Sequence, residues 1–138
     1  MRKTLLTLAL LAAGPVLAQG TPAPEGARVY FVNLKDGDTV SSPVTVVFGL
    51  EGMEVAPAGT EKENTGHHHL LVNATLEGAA LTESIPADEN HIHFGGGQTE
   101  TTLELPAGTH TLQLVLGDHF HVPHVPPVTS ERITITVK

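Results

Sequence analysis

Histidine is a scarce residue, yet five of the nine in this chain fall between Gly66 and Phe94, in Gly66-His67-His68-His69-Leu70-Leu71-Val72 and His91-Ile92-His93-Phe94. Each stretch contains a His-x-His pair. In an extended strand residues i and i+2 project from the same face about 6.6 Å apart, near enough for two imidazoles to turn toward one ion. Two such pairs can supply four nitrogen ligands. Imidazole suits Cu(II), Zn(II), Ni(II) or non-haem iron. A Cu(I) site of thiolates and thioethers is disfavoured, because the chain has no cysteine and, beyond Met1, only Met53.

Alternation decides which imidazoles share a face. Ile92 and Phe94 are the residues a core would claim, which turns His91 and His93 outward together. In the triple run, placing Leu70 and Val72 inside buries two apolar side chains where the other phase buries only Leu71. That choice leaves His67 and His69 outside and His68 inside. A further loop, Gly117 to Ser130, carries His119, His121 and His124 among its prolines and is able to close over a site. The candidate ligands are therefore His67, His69, His91 and His93, with His121 or His124 as an additional or alternative ligand, and Cu or Zn as the foremost ions. The bland alternative is a set of surface imidazoles at strand edges.

Other polar residues carry weaker signals. His110 alternates with Leu112, Leu114 and Leu116 and reads as a hydrogen-bonded, partly buried side chain rather than a ligand. Asp88, Glu89 and Asp118 precede histidines and either orient imidazoles or make turns. Gly95-Gly96-Gly97 lacks the lysine and helix signature of a phosphate loop. With no cysteine, no Gly-x-Ser-x-Gly and no serine in a catalytic context, the chain reads more as a binding protein than as an enzyme.

The elements that must position these residues are strands. Arg28 to Asn33, Thr39-Val40, Pro43 to Glu51, and Ile133 to Val137 show β-branched or alternating patterns bounded by turn residues. Thr101 to Leu105, the turn Pro106-Ala107-Gly108 and Thr109 to Leu116 read as a hairpin. Asn73 to Asn90 is a long connection with a weakly helical middle at Ala79 to Ser84. The expected fold is all-β: an antiparallel, immunoglobulin-like (Greek-key) β-sandwich of seven or eight strands. If Thr109 to Leu116 pairs antiparallel with His67 to Val72, His67 and His69 lie beside the histidine loop.

Arg2-Lys3, the apolar run Thr4 to Leu11 and the small-residue site Val16-Leu17-Ala18 form a secretory signal peptide over residues 1–18. Residues 19–26 read as a flexible lead-in and 27–138 as one domain, exported to the periplasm or secreted, with no integral membrane segment after cleavage. Removing Arg2 and Lys3 leaves five basic against fifteen acidic residues, a net charge of about −10, so nucleic acid and anionic membrane are poor partners.

Tyr30-Phe31-Val32-Asn33-Leu34-Lys35-Asp36-Gly37, Gly66-His67-His68-His69-Leu70-Leu71-Val72, His91-Ile92-His93-Phe94-Gly95 and Gly108-Thr109-His110-Thr111-Leu112 resemble, in that order, the bacterial exported domain-of-unknown-function family DUF4399. The resemblance implies a small exported β domain and no particular activity. Asp36-Gly37-Asp38-Thr39-Val40 with Pro43-Val44, and Gly108 to Leu112 with Gly117-Asp118, are also similar to bacterial immunoglobulin-like domains. His91-x-His93 resembles the copper-binding tripeptide of Cu,Zn superoxide dismutases; the similarity ends there. Two functions follow as expectations: binding of a divalent transition metal for storage or delivery, or a non-catalytic envelope module contacting protein or glycan through its long loops.

Overall fold

The computed structural model describes residues 20–138, so the expected leader and its cleavage site lie outside it. Nine strands form among the described residues: β1 (Arg28–Phe31), β2 (Thr39–Val40), β3 (Val44–Glu51), β4 (Glu54–Val55), β5 (Thr65–Val72), β6 (His91–His93), β7 (Glu100–Leu103), β8 (Gly108–Gly117) and β9 (Ile133–Val137). Seven are longer than two residues. One sheet runs β1-β3-β7; the other runs β2-β9-β8-β5, with β4 and β6 following one another along the far edge of β5.

All pairings are antiparallel except the two-residue contacts of β2 with β9 and of β4 with β5. The longer strands β3, β5, β7 and β8 alternate between sheets. This crossing pattern, with β5 and β8 central in one sheet, is that of an immunoglobulin-like Greek-key sandwich.

The core lies between the sheets. Alternation in β3 sends Val44, Val46 and Phe48 inward, and these meet Leu70 and Val72 of β5, Leu112, Leu114 and Leu116 of β8, and Ile133, Ile135 and Val137 of β9. Every residue of β5 is buried, on both faces. Its inner face is His68, Leu70 and Val72. On its outer face Leu71 packs with Val115 and Ile85, the last supplied by the long 73–90 connection. That connection contains one 3-10 turn, Gly78–Thr82, close to the helical stretch expected at Ala79 to Ser84.

Two expectations need correction. The segments around Thr101 and Thr109 are not a hairpin: β7 pairs with β3 and β8 with β5 and β9, so the corner at Pro106 carries the chain from one sheet to the other. Leu103 and Leu112 therefore reach one core from opposite sheets. The lead-in after Gly20 is also not loose. The Ala23 amide donates to the Val125 carbonyl (3.0 Å), the Val125 amide to the Thr21 carbonyl (2.9 Å), and the Thr21 hydroxyl to Asp118 Oδ2 (2.7 Å).

Candidate metal centre

Strand register assembles the centre. β5 pairs with β8 so that His67 lies opposite Gly117 and His69 opposite Val115. On its other side β5 pairs with β6, placing His93 directly across from His69 and His91 across from Leu71. His67, His69 and His93 thus share the outer face of one sheet. Each offers a nitrogen, and the three lie within 4.8 Å of one another. His69 Nε2 is 2.9 Å from His67 Nε2, which is 3.2 Å from His93 Nε2.

Backbone space lets the rings approach. A Cβ at Gly117 would stand 2.7 Å from His69 Nε2, and one at Gly95 would stand 2.7 Å from His93 Nε2, so only glycine leaves these imidazoles where they are. In the sequence Gly95 read as part of a turn and Gly117 as part of a family motif, and neither was linked to the clearance of an imidazole. The available signal was their alternation: Gly117 falls on the outward phase of β8 with Gln113 and Val115.

The loop after β8 covers the cluster. Asp118 shapes it: Oδ1 accepts the Phe120 and Val122 amides at 2.8 and 3.0 Å, while Oδ2 accepts the Thr21 hydroxyl. Burial alone would raise the Asp118 pKa, but these donors outweigh it and hold the carboxyl below its ordinary value. His121 is placed over the three rings, its centroid 5.0 Å from that of His67 and 4.5 Å from that of His93. His67 and His69 form the buried floor, and the half-buried His93 and His121 form the mouth.

Burial keeps these imidazoles neutral. The pKa of His67 is lowered to about 4, by burial first and then by repulsion from His93 and His121; that of His69 is lowered to about 3, by burial first and then by its histidine neighbours. His93 is lowered by burial and by His121. Neutral imidazole is the form that ligates a metal.

The other candidates stand elsewhere. His91 shares the face of His93, but the antiparallel register carries it one step past the cluster, where its Nδ1–H donates to Asp88 Oδ1 at 2.8 Å. Asp88 does orient an imidazole, though not one in the centre. His124 is buried beneath the loop with Nε2–H donating to the Thr65 carbonyl (3.1 Å), and it is not among the clustered rings. The two expected pairs therefore meet as His67, His69 and His93, with His91 and His124 outside. His110 accepts from Asn73 Nδ2 and donates to the Pro106 carbonyl, a satisfied structural histidine. His68 faces Phe48 in the core, its ring centroid 5.1 Å away, with neither nitrogen hydrogen-bonded among the described residues.

Fold and site together define an immunoglobulin-like β-sandwich whose larger sheet carries a covered histidine cluster that could hold a metal ion. Residues 46–138 match the family described as a domain of unknown function, DUF4399, and the chain belongs to that family. No curated protein and no solved structure matches the chain. The matched residues include His67, His69, His93 and His121. No helix among the described residues is long and apolar enough to cross a membrane.

Proposed function

We propose that this protein binds one divalent transition-metal ion, Cu(II) or Zn(II), between His67, His69 and His93, and serves in metal storage or delivery in an exported compartment. The observation that carries this reading is the meeting of the three Nε2 atoms. His67 Nε2 has two close nitrogen neighbours, at 2.9 and 3.2 Å. A neutral imidazole nitrogen offers either one proton or one lone pair, so His67 can satisfy only one of them. A cation at the centre uses all three lone pairs at once. With metal–nitrogen bonds of about 2.05 Å, separations of 2.9 and 3.2 Å subtend angles of about 90° and 103°, within the range of zinc and copper sites.

The donor set favours Cu(II), Zn(II) or Ni(II) over hard oxygen-seeking ions, and Cu(II) over Zn(II) in raw affinity. The test is calorimetric titration of tag-free protein with Cu(II), Zn(II) and Ni(II). One equivalent should bind, and His67→Ala with His93→Ala together should abolish it. Failure of all three ions to bind would end the metal reading and turn attention to the loops as a docking surface. Export rests on residues 1–18 and is tested by mass spectrometry of the secreted chain, which should begin near Gln19.

A further inference from the structure

We propose that His121 is a fourth imidazole ligand of this centre, and that Asp118 is the positioning residue that presents it, so that the bound ion is enclosed by nitrogen with no open position. The inference rests on the metal reading above and deepens it. Three observations carry it.

The first is distance. Ring centroids of His121 lie 4.5, 5.0 and 5.9 Å from those of His93, His67 and His69, while the three clustered rings lie 4.7 to 5.1 Å from one another. His121 therefore stands as near to His93 and His67 as the clustered rings stand to one another and about 1 Å farther from His69, so its nitrogens lie just outside the group of three and a ring rotation must bring one in.

The second is backbone conformation. His121 has φ +67°, in the left-handed region that a side chain with a Cβ enters only at a cost in free energy. Such a residue persists where its surroundings over-determine it, and strained positions cluster at ligand sites. The other two non-glycine residues at positive φ among the described residues are Asn64 and Asn73, and Asn, Asp and His enter this region more readily than other side chains do.

The third is the restraint itself. Asp118 accepts the amides on both sides of His121, those of Phe120 and Val122, and its own carbonyl accepts the His121 amide at 2.9 Å. The His121 carbonyl accepts the Ile85 amide at 2.7 Å, tying the loop to the 73–90 connection. The peptide carrying His121 is thus fixed on both sides, and the imidazole is directed over the mouth. Three β-sheet ligands alone would leave a coordination position for water or substrate, as catalytic zinc sites do; a fourth imidazole closes it, as structural sites do.

The experiment uses Zn(II) and Cu(II) on tag-free protein. X-ray absorption at the zinc edge should show four imidazole nitrogens in wild type and three plus an oxygen in His121→Gly. Zinc affinity of His121→Gly should fall by about 100-fold. Glycine accepts φ +67° without cost, so the metal-free thermal midpoint of this variant should be unchanged or raised, which keeps misfolding from imitating the result. Asp118→Ala should lower affinity by about 10-fold yet retain four nitrogens at saturating zinc, as expected of a residue that only positions the ligand. A wild-type shell of three nitrogens, or unchanged affinity in His121→Gly, overturns the proposal and leaves the three-histidine site standing. Asp118→Ala that changes stability without affinity overturns its positioning role. Wild-type protein that binds no metal overturns both this inference and the reading beneath it.

Discussion

Adding one methyl group at Gly117 should disable the centre without touching a ligand. A Cβ there would lie 2.7 Å from His69 Nε2 and 3.0 Å from His69 Cδ2, where ordinary contact begins at 3.4 Å. The ring must then retreat by about 0.7 Å, several times the ±0.2 Å that a metal–nitrogen bond tolerates. Its other flank offers no easy escape, because His69 is fully buried and neighbours His67 and His93. Gly117→Ala should therefore weaken zinc or copper binding by roughly 10- to 100-fold, equivalent to about 1.4 to 2.7 kcal/mol. Overpacking should also lower metal-free stability by about 1 to 2 kcal/mol after the entropy gained by replacing glycine. The assay is calorimetry for affinity and urea denaturation for stability, repeated in a His69→Ala background where the obstructing ring is gone. There Gly117→Ala should cost little by either measure. An equal penalty in both backgrounds, or none in either, would refute the steric argument.

His93→Ala should lower metal affinity by at least about 100-fold, whereas His91→Ala should change it by less than about threefold, because the register separates His91 from the cluster. Calorimetry of the two variants side by side checks this. The metal-free protein should lose stability as pH falls from 6.5 toward 4. His68, with its pKa lowered to about 4 by burial, stays neutral when folded but takes a proton when unfolded, so the unfolded state gains protons across that window. This one residue corresponds to about 3 kcal/mol by pH 4, and His68→Leu should flatten the pH dependence of the urea midpoint by a comparable amount. Metal affinity should hold to lower pH than ordinary imidazole would allow, since His67 and His69 resist protonation until about 4 and 3; titrations from pH 7.5 to 4.5 test it.

The inward phase of β5 was legible because Leu70 and Val72 outweigh Leu71, and that choice alone turned His67 and His69 to one face. Alternation could not say that this outer face would itself be covered, since the residues covering it, Ile85 and the 118–124 loop, come from distant segments without strand periodicity. Nor could it fix register. His91 and His93 are equivalent in pattern, and only the pairing of His93 with His69 separates the clustered imidazole from the one outside. The β7–β8 corner was misread for a related reason, because two alternating runs around Pro-Ala-Gly suit strands facing across a core as well as strands lying side by side. The segment after Gly20 looked loose because Pro and Gly dominate it, yet its bonds with Val125 use backbone groups that any composition provides, and the single Thr21 hydroxyl adds a bond to the Asp118 carboxylate.

The clustered nitrogens come from segments far apart in the chain: His67 and His93 are 26 residues apart, and the proposed fourth ligand, His121, lies beyond the whole of β8. An ion held there ties together two paired strands and a loop in a chain without a single cysteine, taking the place of a covalent crosslink. Unlike a disulfide, such a tie is set by free metal rather than by redox poise. A folded chain that binds at 100 times the dissociation constant gains about 2.7 kcal/mol over the unfolded one. If the proposed ion binds, resistance to proteolysis would then rise and fall with metal supply, and the lifetime of the protein would report how much of that ion is available.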